Sequence, residues 1–245
     1  MSKEIINTSD GSATISSPYD GESYHSKNGA LTESLHIFIE NGLNRYIGNI
    51  FEEGKHQTNK SITLNILEMG FGTGLNSVAT FARSQELENI NINYHSVEKY
   101  PLTKEEHLGL KHSLLFPSID QSCICKIYES QWNSIIEISN RFKLVKIKGD
   151  IEDINSYKPY LFGNNSIDIV FFDAFSPGSQ PHLWSSEVFG ALYSIMSDHS
   201  LLVTYSAKGT VKKALRESGF QVERRAGPPG KRHIIAAIKG TGITF

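Results

Sequence analysis

Two rhythms of hydrophobic and polar positions divide the chain. Near the start, Leu31, Leu35, Phe38 and Leu43 recur at helical spacing, with Gly42 near the end of the stretch, which predicts one helix. From residue 62 onward, short apolar runs alternate with amphipathic ones. Residues 62–69, 92–97, 142–147, 167–172 and 201–205 read as strands. Residues 75–87, 103–110, 185–196 and 208–218 read as helices, with Pro101 placed to help start the second and Gly219 to close the last. Two final strands, 220–224 and 233–238, flank the loop Gly227-Pro228-Pro229-Gly230.

Strands alternating with helices predict an α/β fold, a mostly parallel, doubly wound, Rossmann-like sheet. The terminal hairpin adds an antiparallel strand at or near one edge. Residues 1–60 read as an N-terminal hairpin and helix extension packed on the core, because 12–29 mix Ser, Gly, Asp and Tyr around short β-like pieces. Residues 61–245 form the main domain. Within it, 107–141 breaks the alternation and reads as an insertion, β-like over 123–129 and helix-like over 132–139.

Composition narrows the function classes. With 39% hydrophobic and 20% charged residues over 245 positions, the chain is ordinary globular protein, which excludes disordered and fibrous classes. The longest apolar runs, such as 169–172, are too short to cross a bilayer, and no apolar core follows Met1-Ser2-Lys3-Glu4 as a secretory signal requires. Cys123 and Cys125, spaced C-x-C, lack partners for a four-ligand zinc site. A reducing cytoplasmic compartment and no metal are therefore expected. The net charge of −2 hides an asymmetry, since residues 201–245 carry nine Lys/Arg against Glu217 and Glu223. A basic end suggests an anionic partner, the bland alternative being a solvated helix face followed by a basic edge strand.

The strongest local signal is Glu68-Met69-Gly70-Phe71-Gly72-Thr73-Gly74-Leu75-Asn76, which leaves the first main strand and opens the next helix. Glycines there permit a tight turn and a close approach of ligand to backbone. Their G-x-G-x-G spacing is not that of pyrophosphate binders, and Glu68 would repel phosphates but suit an ammonium, as in S-adenosylmethionine. Glu98, followed by Lys99, ends the second strand and can accept hydrogen bonds from ribose hydroxyls; it lies 24 residues after Gly74, near the usual spacing of about 20. Asp150, after the third strand, could accept from an adenine amino group, although Gly149-Asp150 is equally a plain turn. Asp173-Ala174-Phe175-Ser176-Pro177 follows the fourth strand at the edge where open α/β sheets place ligands. An acid followed by an aromatic and a proline fits an amine target: the carboxylate orients the nitrogen and the ring stacks on a base.

Several stretches together resemble the methyltransferase of tRNA wobble-uridine modification. They are Glu68 through Asn76, Asp173 through Pro177, Pro181-x-Leu183-Trp184, Tyr24-His25-Ser26, Gly29 through Ser34, Tyr205 through Lys208 and Gly227 through Arg232. Relatives often carry Thr where this chain has Met69, and Glu-Met where it has His233-Ile234. The resemblance runs from about Tyr19 to Ile238. It implies a class I fold and a reaction converting 5-aminomethyl-(2-thio)uridine to 5-methylaminomethyl-(2-thio)uridine with S-adenosyl-L-methionine. In many bacteria this domain is fused to an FAD-dependent oxidase, and the length here suggests the stand-alone form.

By that resemblance Glu68, Gly70, Gly72, Gly74, Asn76, Glu98, Lys99 and Asp150 serve the cofactor, and Asp173 is the catalytic residue. Tyr24, Glu33 and Phe175 wall the substrate pocket. Lys231 and Arg232 in the hairpin loop, with Lys208, Lys212 and Arg216 spaced i, i+4, i+8 on the preceding helix, would track phosphates of a tRNA anticodon stem-loop. The expected mechanism is direct in-line methyl transfer, with neither cysteine as nucleophile. His107 and His112 are expected at the surface. Two rivals stay open: a small-amine methyltransferase or aminopropyltransferase, and a non-catalytic RNA-binding module.

Overall fold

The computed structural model describes residues 3–16, 21–52, 61–160 and 167–240. Residues 17–20 and 53–60 of the expected N-terminal extension, including Tyr19, lie outside them.

The main sheet has eight strands in the order β5-β6-β4-β3-β7-β8-β10-β9. Here β3 is Ile62–Met69, β4 Ile90–Glu98, β5 Ile135–Ser139, β6 Phe142–Lys148, β7 Ile167–Phe172, β8 Met196–Thr204, β9 Gln221–Ala226 and β10 His233–Ile238. The pairs β6-β4, β4-β3, β3-β7 and β7-β8 are parallel; β5 on one edge and β10 within the other are antiparallel to their neighbours. The strand order reverses at β3. Crevices form at the carboxyl ends of strands flanking such a switch point, and all the glycine-rich and acidic motifs leave the sheet there.

The apolar runs are continuous because both faces are covered. Successive residues point to opposite faces, so Ile66, Phe171 and Val203 join one core while Leu67, Phe172 and Leu202 join the other. The first core packs under a helical segment made of α1 (Ala30–Ser34), a wide π-type stretch (Leu35–Asn44) and α2 (Arg45–Glu52), and under α3 (Leu75–Gln85). The second packs under α6 (Ser186–Ile195) and α7 (Gly209–Glu217). Gly42 is not at the end of its helix, as its sequence position suggested. It sits mid-segment, where a Cβ would come 2.9 Å from Phe171 Cε1 and 3.1 Å from Val203 Cγ2. Any side chain there would overpack the core, typically at about 1–3 kcal/mol.

The stretch 107–141 reverses the sequence expectation. Residues read as β-like form helix α5 (Gln121–Glu129), capped by Asp120, whose side chain accepts from the Ser122 N–H at 2.9 Å. Residues read as helix-like contribute strand β5 at the sheet edge. Ile124 and Ile127, one helical turn apart, are the buried residues of α5. His107, on α4 (Lys104–Leu110), and His112 are buried rather than surface residues. His107 stacks on Tyr128 and lies 3.2 Å from the Thr73 carbonyl, while His112 Nδ1 lies 2.8 Å from the Tyr128 hydroxyl. Burial lowers both imidazoles, to about 4 and about 3; His107 ties this stretch to the glycine turn, and His112 ties it to the Ala13 carbonyl.

At the N-terminus, β1 (Ile5–Asn7) and β2 (Ala13–Ile15) form a hairpin. Its turn caps α1 from outside, because Gly29 at the cap position has no side chain. The Ala30 and Leu31 N–H groups each donate to Ser12 Oγ at 3.1 Å, and the Thr32 N–H donates to Asp10 Oδ2 at 2.8 Å. This cap fixes α1, and with it Glu33. At the opposite end, Arg224 and Arg225 of edge strand β9 are exposed.

Candidate active site

The turn after β3 is built on three glycines with positive φ: Gly70 at +100°, Gly72 at +47° and Gly74 at +73°. Gly70 lets the turn press on the exit of β7, since a Cβ there would sit 2.7 Å from the Asp173 carbonyl oxygen. The Gly70 and Phe71 N–H groups both donate to the Val97 carbonyl, at 3.0 and 3.2 Å, tying the turn to β4. The Gly72 N–H donates to Glu98 Oε2 at 3.0 Å, and the Tyr100 N–H to Glu98 Oε1 at 2.7 Å. Each carboxylate oxygen keeps acceptor capacity for a ligand hydroxyl. Burial pushes Glu98 up, against those two N–H bonds.

Asp150 leaves β6 and pairs with Lys99. Burial opposes its charge, but Lys99 and the Glu152 N–H outweigh that and hold the carboxyl below the ordinary range. On the other side of the glycine turn, Asp173 Oδ2 accepts from Asn76 Nδ2 at 2.8 Å, and Asn76 Oδ1 accepts from Ser34 Oγ at 2.6 Å. The Asp173 carboxyl is therefore oriented by a relay reaching α1. Burial drives it up to about 8, Glu33 adds to the rise, and Asn76 and Lys231 oppose it.

Residues 21–29 cross this edge as an arm. Tyr24 meets Phe175 edge-on, with ring centroids 4.9 Å apart. His25 Nε2 lies 2.6 Å from Thr73 Oγ1, and the Ser26 N–H donates to Glu33 Oε2 at 2.8 Å. The Asp173–Pro177 loop is held from behind, where Trp184 Nε1 donates to the Phe175 carbonyl at 2.8 Å and the Tyr205 hydroxyl donates to the Ala174 carbonyl at 2.9 Å. The result is a cavity of about 400 Å³, within the range of small-molecule sites. Its wall carries Glu22, Glu33, Glu98, Asp150 and Asp173 against Lys99 and Lys231. An acid-rich, phosphate-repelling wall with a glycine turn on its floor fits a ligand bearing a sulfonium and an ammonium, and S-adenosylmethionine has both.

Most expected residues converge on this cavity: Gly70, Gly72, Glu98, Lys99, Asp150, Asp173, Tyr24, Glu33, Phe175 and Lys231 all line it. Three of the expected cofactor residues do not. Gly74 backs onto Tyr128 and Phe71, Asn76 orients Asp173, and Glu68 is fully buried beneath the turn, accepting from Ser96 Oγ at 2.6 Å. Lys231, expected among the phosphate contacts, is inside the cavity and paired with Glu33. Lys208 and Arg232 are exposed outside it, Lys208 beside the Ser176–Gly178 rim. Glu22, His25, Gln180, His182 and Tyr205, to which the sequence assigns no role, also line the wall. Only the quoted Tyr24-His25-Ser26 and Tyr205 stretches signalled any of them.

Glu68 carries a stability consequence. Burial raises its carboxyl from 4.5 to about 8, with Asp173 adding to the rise and Ser96 opposing it. The native state then holds a proton that the unfolded chain releases, so stability falls as pH climbs from about 4.5 towards 8. Glu68→Gln should flatten this loss, and the advantage of the variant in thermal unfolding should widen from pH 5.5 to 8.5. Parallel curves would show that Glu68 is ionised without penalty.

Comparisons with known proteins bear on the fold and the family. Residues 122–240 match a family model described as S-adenosyl-L-methionine-dependent methyltransferase, a match that starts within the reversed stretch and leaves the glycine turn outside it. Over 230 residues the chain is 30% identical to the tRNA 5-methylaminomethyl-2-thiouridine biosynthesis bifunctional protein MnmC of Burkholderia multivorans, covering 91% of this chain and 33% of that one. The chain spans about a third of the length of the curated relatives it matches. The crystal structure of MNMC2 from Aquifex aeolicus aligns with a TM-score of 0.69 and 27% identity, over 96% of this chain and 70% of that one. Spermidine synthase from Thermotoga maritima aligns with a TM-score of 0.57 at 13% identity, over 99% of this chain and 70% of that one, a likeness of fold.

Proposed function

We propose that this S-adenosyl-L-methionine-dependent methyltransferase methylates the amine of a 5-aminomethyl-(2-thio)uridine at the wobble position of tRNA, giving the 5-methylaminomethyl nucleoside. The observation that carries the reading is Asp173: a half-buried carboxyl just past the end of β7, fixed by Asn76, with Phe175 and Tyr24 rings beside it in an acid-lined cavity. The MnmC relatives, whose name contains the same modified nucleoside, support the choice of substrate.

When bound, the cofactor supplies a methyl group on a sulfonium. Gly70 and Gly72 offer it exposed backbone, Glu98 an acceptor for ribose hydroxyls and Asp150 an acceptor at the far wall. Asp173 receives the amine, and the nitrogen must shed a proton to present its lone pair. Raised to about 8, the Asp173 carboxyl takes that proton in its ionised form, whose share grows as pH rises towards 8. Phe175 and Tyr24 supply apolar faces for a base, and the closed wall holds the reactants together. Mass analysis of tRNA nucleosides tests the proposal: a strain lacking this protein should accumulate the aminomethyl nucleoside, and unchanged nucleosides would reject it.

The acid-rich pocket and the spermidine synthase fold favour a second reading, a small-amine transferase. The basic surface separates the two. Lys208, Lys212 and Arg216 form one stripe that begins at the cavity rim, and Arg232 is exposed on the neighbouring loop. Neutralising Lys208, Arg216 and Arg232 together should weaken tRNA binding and flatten its salt dependence, by about 0.7 to 0.9 in logarithmic slope per lost phosphate contact. Cofactor affinity should stay unchanged. An unchanged slope would favour the small-amine enzyme.

A further inference from the structure

Lys231 reaches the cavity because of how the hairpin loop between β9 and β10 closes. The Lys231 N–H donates to the Pro228 carbonyl at 2.9 Å, and the Gly227 N–H to the Arg232 carbonyl at 3.3 Å. A Cβ on Gly227 would collide with the Lys231 carbonyl, so a glycine is what lets the strand fold back this far. The lysine then turns inward, pairing with Glu33 and lying 4.1 Å from the centroid of the Tyr205 ring. Its side chain is 28% exposed and that of Glu33 only 9%. A cation so covered and already paired is poorly placed to meet a phosphate backbone.

Asp173 faces charged and titratable groups from every side. Glu33 comes from α1, Glu68 from β3, Tyr94 from β4, Tyr205 from just beyond β8 and Lys231 from the hairpin loop. Lys231 is the cation of that set. Without it, Glu33 and Asp173 would repel each other and compete for one incoming ammonium.

We propose that Lys231 and Glu33 form a charge-setting pair, in which the lysine neutralises Glu33 so that Asp173, and not Glu33, receives the substrate's amine. Lys231 is then a positioning residue, acting through Glu33 and Asp173 and not as an RNA contact. The inference rests on the amine-methylating reading above and deepens it. The opposed influences of Glu33 and Lys231 on the Asp173 carboxyl agree with the arrangement.

The two members of the pair should move Asp173 in opposite directions. Carbon-13 NMR of labelled aspartate side chains can follow its titration in the full chain without substrate, the signal being assigned by its loss in Asp173→Asn. Lys231→Gln should raise the midpoint and Glu33→Gln should lower it, each by about one pH unit. The double variant should return near the starting value, which also guards against a single variant that folds poorly. The pH profile of methyl transfer should shift in the same directions. Unmoved midpoints in both single variants would overturn the proposal. So would a Lys231→Gln variant altered only in tRNA affinity and salt slope. If the wild-type protein failed to methylate aminomethylated tRNA, the substrate reading would fall while the NMR titration still decided the charge pair.

Discussion

Replacing Asp173 with asparagine is expected to slow methyl transfer by about two to four orders of magnitude, the range for a positioned acid or base, and to leave cofactor affinity nearly unchanged. Asparagine keeps the size of the side chain and an oxygen that can still accept from Asn76 Nδ2, so the relay from Ser34 survives. What it loses is the ability to take a proton. The wild-type rate should climb with pH as the Asp173 carboxyl, raised to about 8, gives up its proton. In the variant that limb disappears and only the titration of the substrate amine remains. The fold should not suffer, because the amide is the same size and keeps the Asn76 contact. Single-turnover rates across pH 6–9, alongside calorimetric titration with S-adenosylmethionine, make the measurement. Near-normal turnover would exclude Asp173 as the proton acceptor.

The second large effect is expected at Gly72, where valine should abolish cofactor binding in a protein that still folds. Two costs coincide there. The backbone sits at φ +47°, a region that a β-branched residue avoids. A Cβ would also come 2.9 Å from Tyr24 Cδ1, so the ring that covers the turn must move. Straightening the turn would pull the Gly72 N–H away from Glu98, losing the contact that presents this carboxylate. The β3–α3 connection has further anchors in the paired Gly70 and Phe71 N–H bonds to Val97, which is why folding should survive. Calorimetry with the cofactor checks it, and unchanged affinity would remove the glycine turn from the site.

Much of this architecture was legible because its causes are local. Each parallel strand is apolar along its length because two cores flank it, and the glycine turn and Asp173 sit where strands end. The stretch around α5 was misread for an equally physical reason. Residues 123–129 mix apolar and polar positions over a span short enough for a strand, and only tertiary packing of Ile124 and Ile127 decides for the helix. Glu68 and Asn76 belong to the glycine motif in sequence, yet the pleat of β3 buries Glu68 against Ser96 and the first turn of α3 sets Asn76 behind Asp173 instead of on the cavity wall. Lys231 was grouped with the surface cations because charge counting cannot see Glu33, far away in sequence, across the same cavity.

Edge strand β9 has a consequence for the behaviour of the protein in concentrated solution. An open sheet edge is a template for another strand, and exposed charge is one of the means by which proteins refuse it. Here Arg224 and Arg225 supply that refusal, on the same basic end that the proposed substrate would approach. A polyanion that neutralises this end therefore also lowers the barrier to pairing between copies. Self-association at this edge should accordingly begin under low salt with excess RNA, and be least in the RNA-free protein.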